Sequence, residues 1–262
     1  MILFSFKILF IILGCRKIHL TRYAGRKFSP LLFLARKLGC RITYDCRTGV
    51  SKESHLNSLK TTLRYCQYAL ANSESAYNSL SQIANKNCKI KLIINPLRIK
   101  VPSNDSKINY DPINLNSIRF LLCIGTISKR KSTLLVIEAY LESYKENLND
   151  KYFPKLVLAG RNDLGNEFIK TIKPHQNIIY LGEVSHEESI LLTYKAQGSI
   201  NASSLEGIPR VSLEALFLKT PSILSSCVPE FKHYSGEACI DIDSYDAKSN
   251  LIKLINQLIY TP

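Results

Sequence analysis

The sequence predicts an α/β fold: two domains, each built on a parallel sheet covered by helices on both faces. Three observations predict it. Short apolar runs of β-type residues alternate with amphipathic segments along the chain. The alternation falls into two series, divided at 95–118 by a stretch holding Pro96, Pro102 and Pro112 among several Asn, Asp and Ser. The charge changes at the same place. Residues 1–110 carry 19 Lys+Arg against 4 Asp+Glu, while residues 111–262 carry 16 against 17. The simplest division is a domain at 1–100, a linker at 101–118 and a second domain at 119–262.

In the first series, strands are expected at 18–20, 41–45, 68–72 and 89–94. Helices are expected between them at 29–38, 53–66 and 74–84. In the second series, strands are expected at 119–124, 155–160, 177–181, 199–201, 221–225 and 239–241. The accompanying helices are expected at 131–147, 164–172, 185–196, 210–219 and 245–259. A helix between successive strands of one sheet makes the pair parallel. Residues 1–14 are strongly apolar, but they are too few to span a bilayer and Lys7 interrupts them. No basic segment precedes them, as a secretory signal requires. They are expected to form a buried helix opening a folded domain.

The eight cysteines are Cys15, Cys40, Cys46, Cys66, Cys88, Cys123, Cys227 and Cys239. They form no C-x-x-C pair, and several sit inside apolar runs. Reduced, buried thiols in a cytoplasmic protein are expected. No Cys/His group has zinc spacing. The net charge of +14 lies in the first part and implies an anionic partner: nucleic acid, a phosphate-bearing substrate or an anionic membrane. The sequence has no helix-turn-helix, zinc or aromatic-basic motif, which argues against nucleic acid.

Ligands of open α/β sheets bind outside the C-terminal strand ends, so the strand-to-helix turns carry the functional reading. One turn runs Ile124-Gly125-Thr126-Ile127-Ser128-Lys129-Arg130-Lys131-Ser132. It places three cations where a helix is expected to present free N–H groups, a cradle for a diphosphate. It is not a Walker A loop, because Arg130 stands where that loop needs a glycine before Lys-Ser. A second turn follows the strand ending at Asn201. Gly207 permits close backbone approach, and Pro209 suits a helix start. Glu214 then falls within a helix that is apolar nearly all round. A carboxylate buried there needs partners. They are either a structural Arg or backbone N–H, or the vicinal hydroxyls of a ligand.

Together these residues resemble the retaining family 4 glycosyltransferases of the GT-B type. Glu206 and Glu214 have seven residues between them, Gly207 and Pro209 included, like the family's E-x7-E element. Ile124-Gly125-Thr126 through Arg130-Lys131 resembles its G-T-x-x-x-R-K turn, and Leu156-Val157-Leu158-Ala159-Gly160 its L-V-x-A-G strand. Tyr180-Leu181-Gly182-Glu183-Val184, with Tyr194 and Ala196, is similar to F-L-G-x-V … L-Y-x-x-A. Pro229-Glu230 is similar to x-P-E. The match runs from 119 to 258. Thr126 departs from the members that carry Arg after the first glycine, so cation density rests on Arg130 and Lys131.

The resemblance implies two Rossmann-like domains with parallel sheets, the N-terminal one incomplete. It implies transfer of a hexose-type sugar from a nucleotide-diphosphate sugar to a polysaccharide or lipid-linked acceptor, with retention. Arg130 and Lys131 would hold the diphosphate and stabilise the leaving group, and Glu206 would contact the donor sugar. Glu214 would accept hydrogen bonds from the ribose. Gly125 and Thr126 would lie against the donor, as would Gly207 and the segment Ile208, Pro209, Arg210 and Val211, whose N–H groups touch sugar or phosphate. Gly182 to Val184 would line the base pocket. No metal or other cofactor is implied. The cytoplasm is the expected location, with the basic first half at the inner face of the membrane.

The first half resembles the family less closely. Ile18, His19, Thr21, Arg22, Tyr44, Asp45 and Arg47 are similar to I-H-x-R-(S/T) … (F/Y)-D-x-R, and Ala71-Asn72-Ser73-Glu74 to A-x-S-E. The family's opening strand and Gly-rich loop have no counterpart, an expected shortfall of about 70 to 90 residues. A chain that binds nucleotide sugar without transferring it is the alternative this implies.

Overall fold

The computed structural model describes residues 16–24, 28–46, 53–94, 96–103, 105–108, 114–231 and 238–260. The apolar run at 1–14, Cys15 and Arg47 lie outside these. The chain divides into two units, Met1–Asn95 and Pro96–Pro262.

In the first unit the strands are β1 (Lys17–Leu20), β2 (Arg41–Cys46), β3 (Tyr68–Ala71) and β4 (Lys89–Leu92). They pair in parallel in sequence order. The helices between them are α1 (Ser29–Lys37), α2 (Glu53–Leu63) and α3 (Glu74–Ile83). Burial alternates along β2. Ile42, Tyr44 and Cys46 enter the core with Ala69, Ala71, Leu59, Leu63 and Leu80, while Thr43 and Asp45 are half-buried. Among the described residues, this sheet therefore carries its core on one face, not on both as expected. Cys40, Cys46, Cys66 and Cys88 are in no disulfide and are buried in that core. Burial pushes the Cys66 thiol up to about 12 and Cys88 to about 11.

The second unit holds β5 (Phe120–Ile124), β6 (Lys155–Ala159), β7 (Ile178–Tyr180), β8 (Gly198–Ile200), β9 (Ser222–Ser225) and β10 (Cys239–Ile240). The spatial order is β10-β9-β8-β5-β6-β7, all parallel. Here both faces are buried, because β5 is apolar at every position and β6 at every position after Lys155. Leu121, Cys123, Leu156 and Leu158 face one core. Phe120, Leu122, Val157 and Ala159 face the other. Helices α4 (Thr133–Glu146), α5 (Asn166–Ile172) and α8 (Ala247–Tyr260) contribute to the first of these cores, and α6 (His186–Lys195) to the second. Helix α7 is Arg210–Phe217. Ile108 and Leu115, inside the stretch expected as a linker, are also buried in the second core.

Strand order reverses between β5 and β8, which are neighbours in space but not in sequence. The chain leaves β5 toward one edge and returns from β8 toward the other, so a crevice opens at their C-terminal ends.

One expected boundary is corrected at that crevice. The helix expected from 131 begins at Thr133. Lys129–Lys131 form a separate 3-10 turn, and Ser132 takes a left-handed φ of 48° between the two. The N–H groups of Lys131 and Thr133 are directed to the Ser128 carbonyl, and that of Ser132 to Lys129. Three of the main-chain N–H groups at the turn are thereby taken up within it.

Candidate functional site

Three glycine turns form one side of the crevice. Gly125, Gly160 and Gly182 follow β5, β6 and β7 with φ of 128°, 138° and 74°, values that L residues rarely adopt. Gly160 N–H donates to the Gly182 carbonyl at 2.6 Å, and Gly125 N–H to the Ala159 carbonyl at 2.8 Å. A Cβ at Gly160 would lie 2.0 Å from the Gly125 carbonyl oxygen. No side chain fits there, so the strand ends close into a wall of main chain.

A cleft of about 550 Å³ opens against this wall. Of the residues the sequence singles out, Gly125, Thr126, Val184, Arg210, Val211 and Glu214 line it. Glu214 is 1% exposed. Its Oε1 accepts from Arg210 Nε at 3.3 Å and lies 3.8 Å from His186 Nε2. Arg210 Nη2 is in turn 3.3 Å from His186 Nε2. The structural partner that a buried carboxylate needs is thus present, one helical turn away, and the carboxylate still faces the cleft. The N–H groups of Arg210 and Val211 precede the first main-chain bonds of α7, which Ser212 and Leu213 make to the Pro209 carbonyl.

Arg130, Lys131 and Glu206 meet beside the cleft. Glu206 Oε1 is 2.8 Å from Arg130 Nη1 and 2.5 Å from Lys131 Nζ. The Lys131 ammonium passes over Gly125, within 3.8 Å of where a Cβ would stand. Arg130 also donates to the Leu205 carbonyl at 2.9 Å, and its own carbonyl accepts from Ser204 N–H at 2.9 Å. These bonds tie the turn after β5 to the turn after β8. The Cys123 thiol, 8% exposed beneath them, is pushed up to about 11 by burial, against the pull of Lys131.

The remaining residues singled out do not line the cleft. Gly182 supports it through the bond to Gly160. Gly207 and Pro209 are buried, and the Ile208 side chain is committed to a small core with Leu224, Val228 and Phe231. Conversely, Arg161, Ser185, His186 and Ser189 line the cleft without having been singled out as site residues, and Glu183 lines it from within the segment expected to border the base. The sequence did carry a signal for some of them. Ser185 and Glu188 form a capping box that starts α6 and holds His186 at its first position. Among the described residues, no three His, Cys, Asp or Glu side chains are grouped to hold a metal ion.

The model for the family described as glycosyl transferases group 1 matches residues 119–259. The chain belongs to this family. This group 1 glycosyltransferase also shares its fold with solved members of the GT-B class. Alr3699/HepE from Anabaena, in complex with UDP and glucose, superposes with a TM-score of 0.77 at 16% identity. It covers 97% of this chain and 71% of its own. The α,α-trehalose 6-phosphate synthase of Burkholderia multivorans gives 0.69 at 11%, covering 94% and 64%. The pneumococcal O-GlcNAc transferase GtfA, with UDP and GlcNAc, gives 0.69 at 14%, covering 96% and 52%. No curated protein matches in sequence. The glycosyltransferase is thus an α/β protein of GT-B type, in a family whose chemistry is transfer from a nucleotide sugar. Among its described residues, no helix is long and apolar enough to cross a membrane.

Proposed function

We propose that the cleft binds a nucleotide-diphosphate sugar and that the chain transfers the sugar, with retention, to a polysaccharide or lipid-linked acceptor. The observation that carries the reading is Glu214: a carboxylate 1% exposed that nonetheless faces a cleft. Vicinal ribose hydroxyls are donors suited to such a group. Val184 and the main chain beside it would border the base. The N–H groups of Arg210 and Val211 open toward sugar or phosphate.

Arg130 and Lys131 would counter the charge that grows on the diphosphate as the glycosidic bond breaks. Glu206 would contact the donor sugar. The departing phosphate oxygen would accept the proton of an acceptor hydroxyl attacking from the same face, which preserves the anomeric configuration. Because two side-chain cations supply the countercharge, the reaction is expected to proceed without a divalent metal. UDP occupies HepE and GtfA in their solved complexes, which supports UDP as the first nucleotide to try. The charge of residues 1–110 supports a peripheral cytoplasmic position on anionic lipid.

The test is calorimetric titration with UDP and GDP, alongside the Arg130→Ala/Lys131→Ala and Glu214→Ala variants. Binding by the wild type that both variants lose is the expected result. A folded wild type that binds neither nucleotide would overturn the donor-site reading. A second reading is binding without transfer. It is motivated by the first unit's sheet, which has four strands among the described residues against six in the second. Donor turnover in the presence of lipid-linked acceptors separates the two.

A further inference from the structure

Glu206 Oε1 is shared among three partners: it meets Arg130, Lys131 and the Ser203 hydroxyl, the last at 3.2 Å. In the donor-site reading, on which this inference rests, the same two cations hold the diphosphate. A diphosphate carries more charge than a carboxylate and competes for them. Of its three partners, Glu206 then keeps Ser203.

Ser203 is fully buried and fixed from two sides. Its carbonyl accepts from Ser225 Oγ at 2.5 Å, and its hydroxyl lies 2.7 Å from Asn201 Oδ1. Asn201 Nδ2 donates to Ser212 Oγ at 2.8 Å. Ser212 is 3% exposed and stands on α7, two residues before Glu214. A buried polar chain thus runs from Glu206 through Ser203 and Asn201 to the helix that carries Glu214.

A serine has one hydroxyl proton, and here two acceptors lie within reach of it. With both cations on Glu206, the shorter contact is to Asn201. Once the cations turn to a diphosphate, the ionised carboxylate is the stronger acceptor. The network can follow without an orphaned atom. The Asn201 amide can present its NH₂ to Ser203 Oγ and its oxygen to Ser212, whose hydroxyl can donate as well as accept. We propose that Ser203 is a positioning residue that takes over Glu206 when the diphosphate removes its cations, with Asn201 and Ser212 supporting the exchange from α7.

The test titrates UDP and GDP into the full chain as wild type, Ser203→Ala, Glu206→Gln and the double variant, with thermal melts alongside. Glu206→Gln should bind the nucleotide about threefold more tightly or better, because a neutral amide no longer competes for the cations. Ser203→Ala should weaken binding about three- to tenfold, and the double variant should match Glu206→Gln within about twofold. Should Ser203→Ala not fold, Ser212→Ala carries the same comparison, with about a two- to threefold loss that vanishes beside Glu206→Gln. Unchanged affinity in Ser203→Ala, or an equal loss on both backgrounds, would overturn the exchange and leave the donor site standing. No binding by the wild type would remove the donor site, and this inference with it.

Discussion

The carboxylate of Glu214 shows how far a single residue can be read. An apolar helix surrounding an acid implied burial and a need for partners, and the structure supplies both. Its bond to Arg210 was within reach of the sequence as an i, i+4 pair. His186 was not, because it arrives from another helix and the contact exists only in three dimensions. Arg210 lies largely in solvent, with its side chain 58% exposed, so it steers Glu214 more than it neutralises it. Arg210→Ala is therefore expected to weaken nucleotide binding less than Glu214→Ala, as read by calorimetry. Gly160 carries the sharpest residue-scale prediction. The Cβ of Gly160→Ala would collide with the Gly125 carbonyl, and its φ of 138° is strained for any side chain. A loss of about 2 kcal/mol or more is expected, seen as a lower denaturation midpoint together with weaker nucleotide binding.

At the scale of elements, hydrophobic periodicity placed the strands and helices within a few residues of where they lie. β5 and β6 read as continuous apolar runs because both their faces are covered, and the alternation in β2 marks one core face among the described residues. The start of α4 was not legible. Its left-handed residue is Ser132, not the glycine that announces such a turn. Lys129, Arg130 and Lys131 consequently form a 3-10 turn tied to the loop after β8, where the sequence led one to expect the first turn of a helix. The start of α6 offers a separable test. Ser185→Ala removes one half of the capping box and should cost about 1 kcal/mol in chemical denaturation. Since His186 and Ser189 line the cleft from this helix, nucleotide affinity should fall with it.

At the scale of the whole molecule, neither the order of strands nor their reversal between β5 and β8 is written in any local pattern. It follows from how the crossovers pack. The thiols add a pH dependence. Cys66, Cys88 and Cys123 are all raised by burial, to about 12, 11 and 11. The unfolded chain loses these protons at lower pH than the folded one, so their contribution is whole below about pH 8.5. It is lost as pH rises through 9 toward 11 and beyond. Melting temperature should fall over that range, and alkylation of these thiols at pH 8 should be slow until the chain is unfolded. If the two side-chain cations suffice at the diphosphate, nucleotide affinity should be the same before and after treatment with EDTA. The basic first half should bind vesicles rich in anionic lipid over neutral ones, and added salt should release it. The glycine wall has a consequence for redesign. Main-chain groups present the same donors and acceptors whatever residues are exchanged around them, so that side of the cleft cannot be re-specified by substitution. If the cleft takes a nucleotide as proposed, a change of preferred base would have to be sought among polar side chains that line it, such as Arg161, Glu183 and His186.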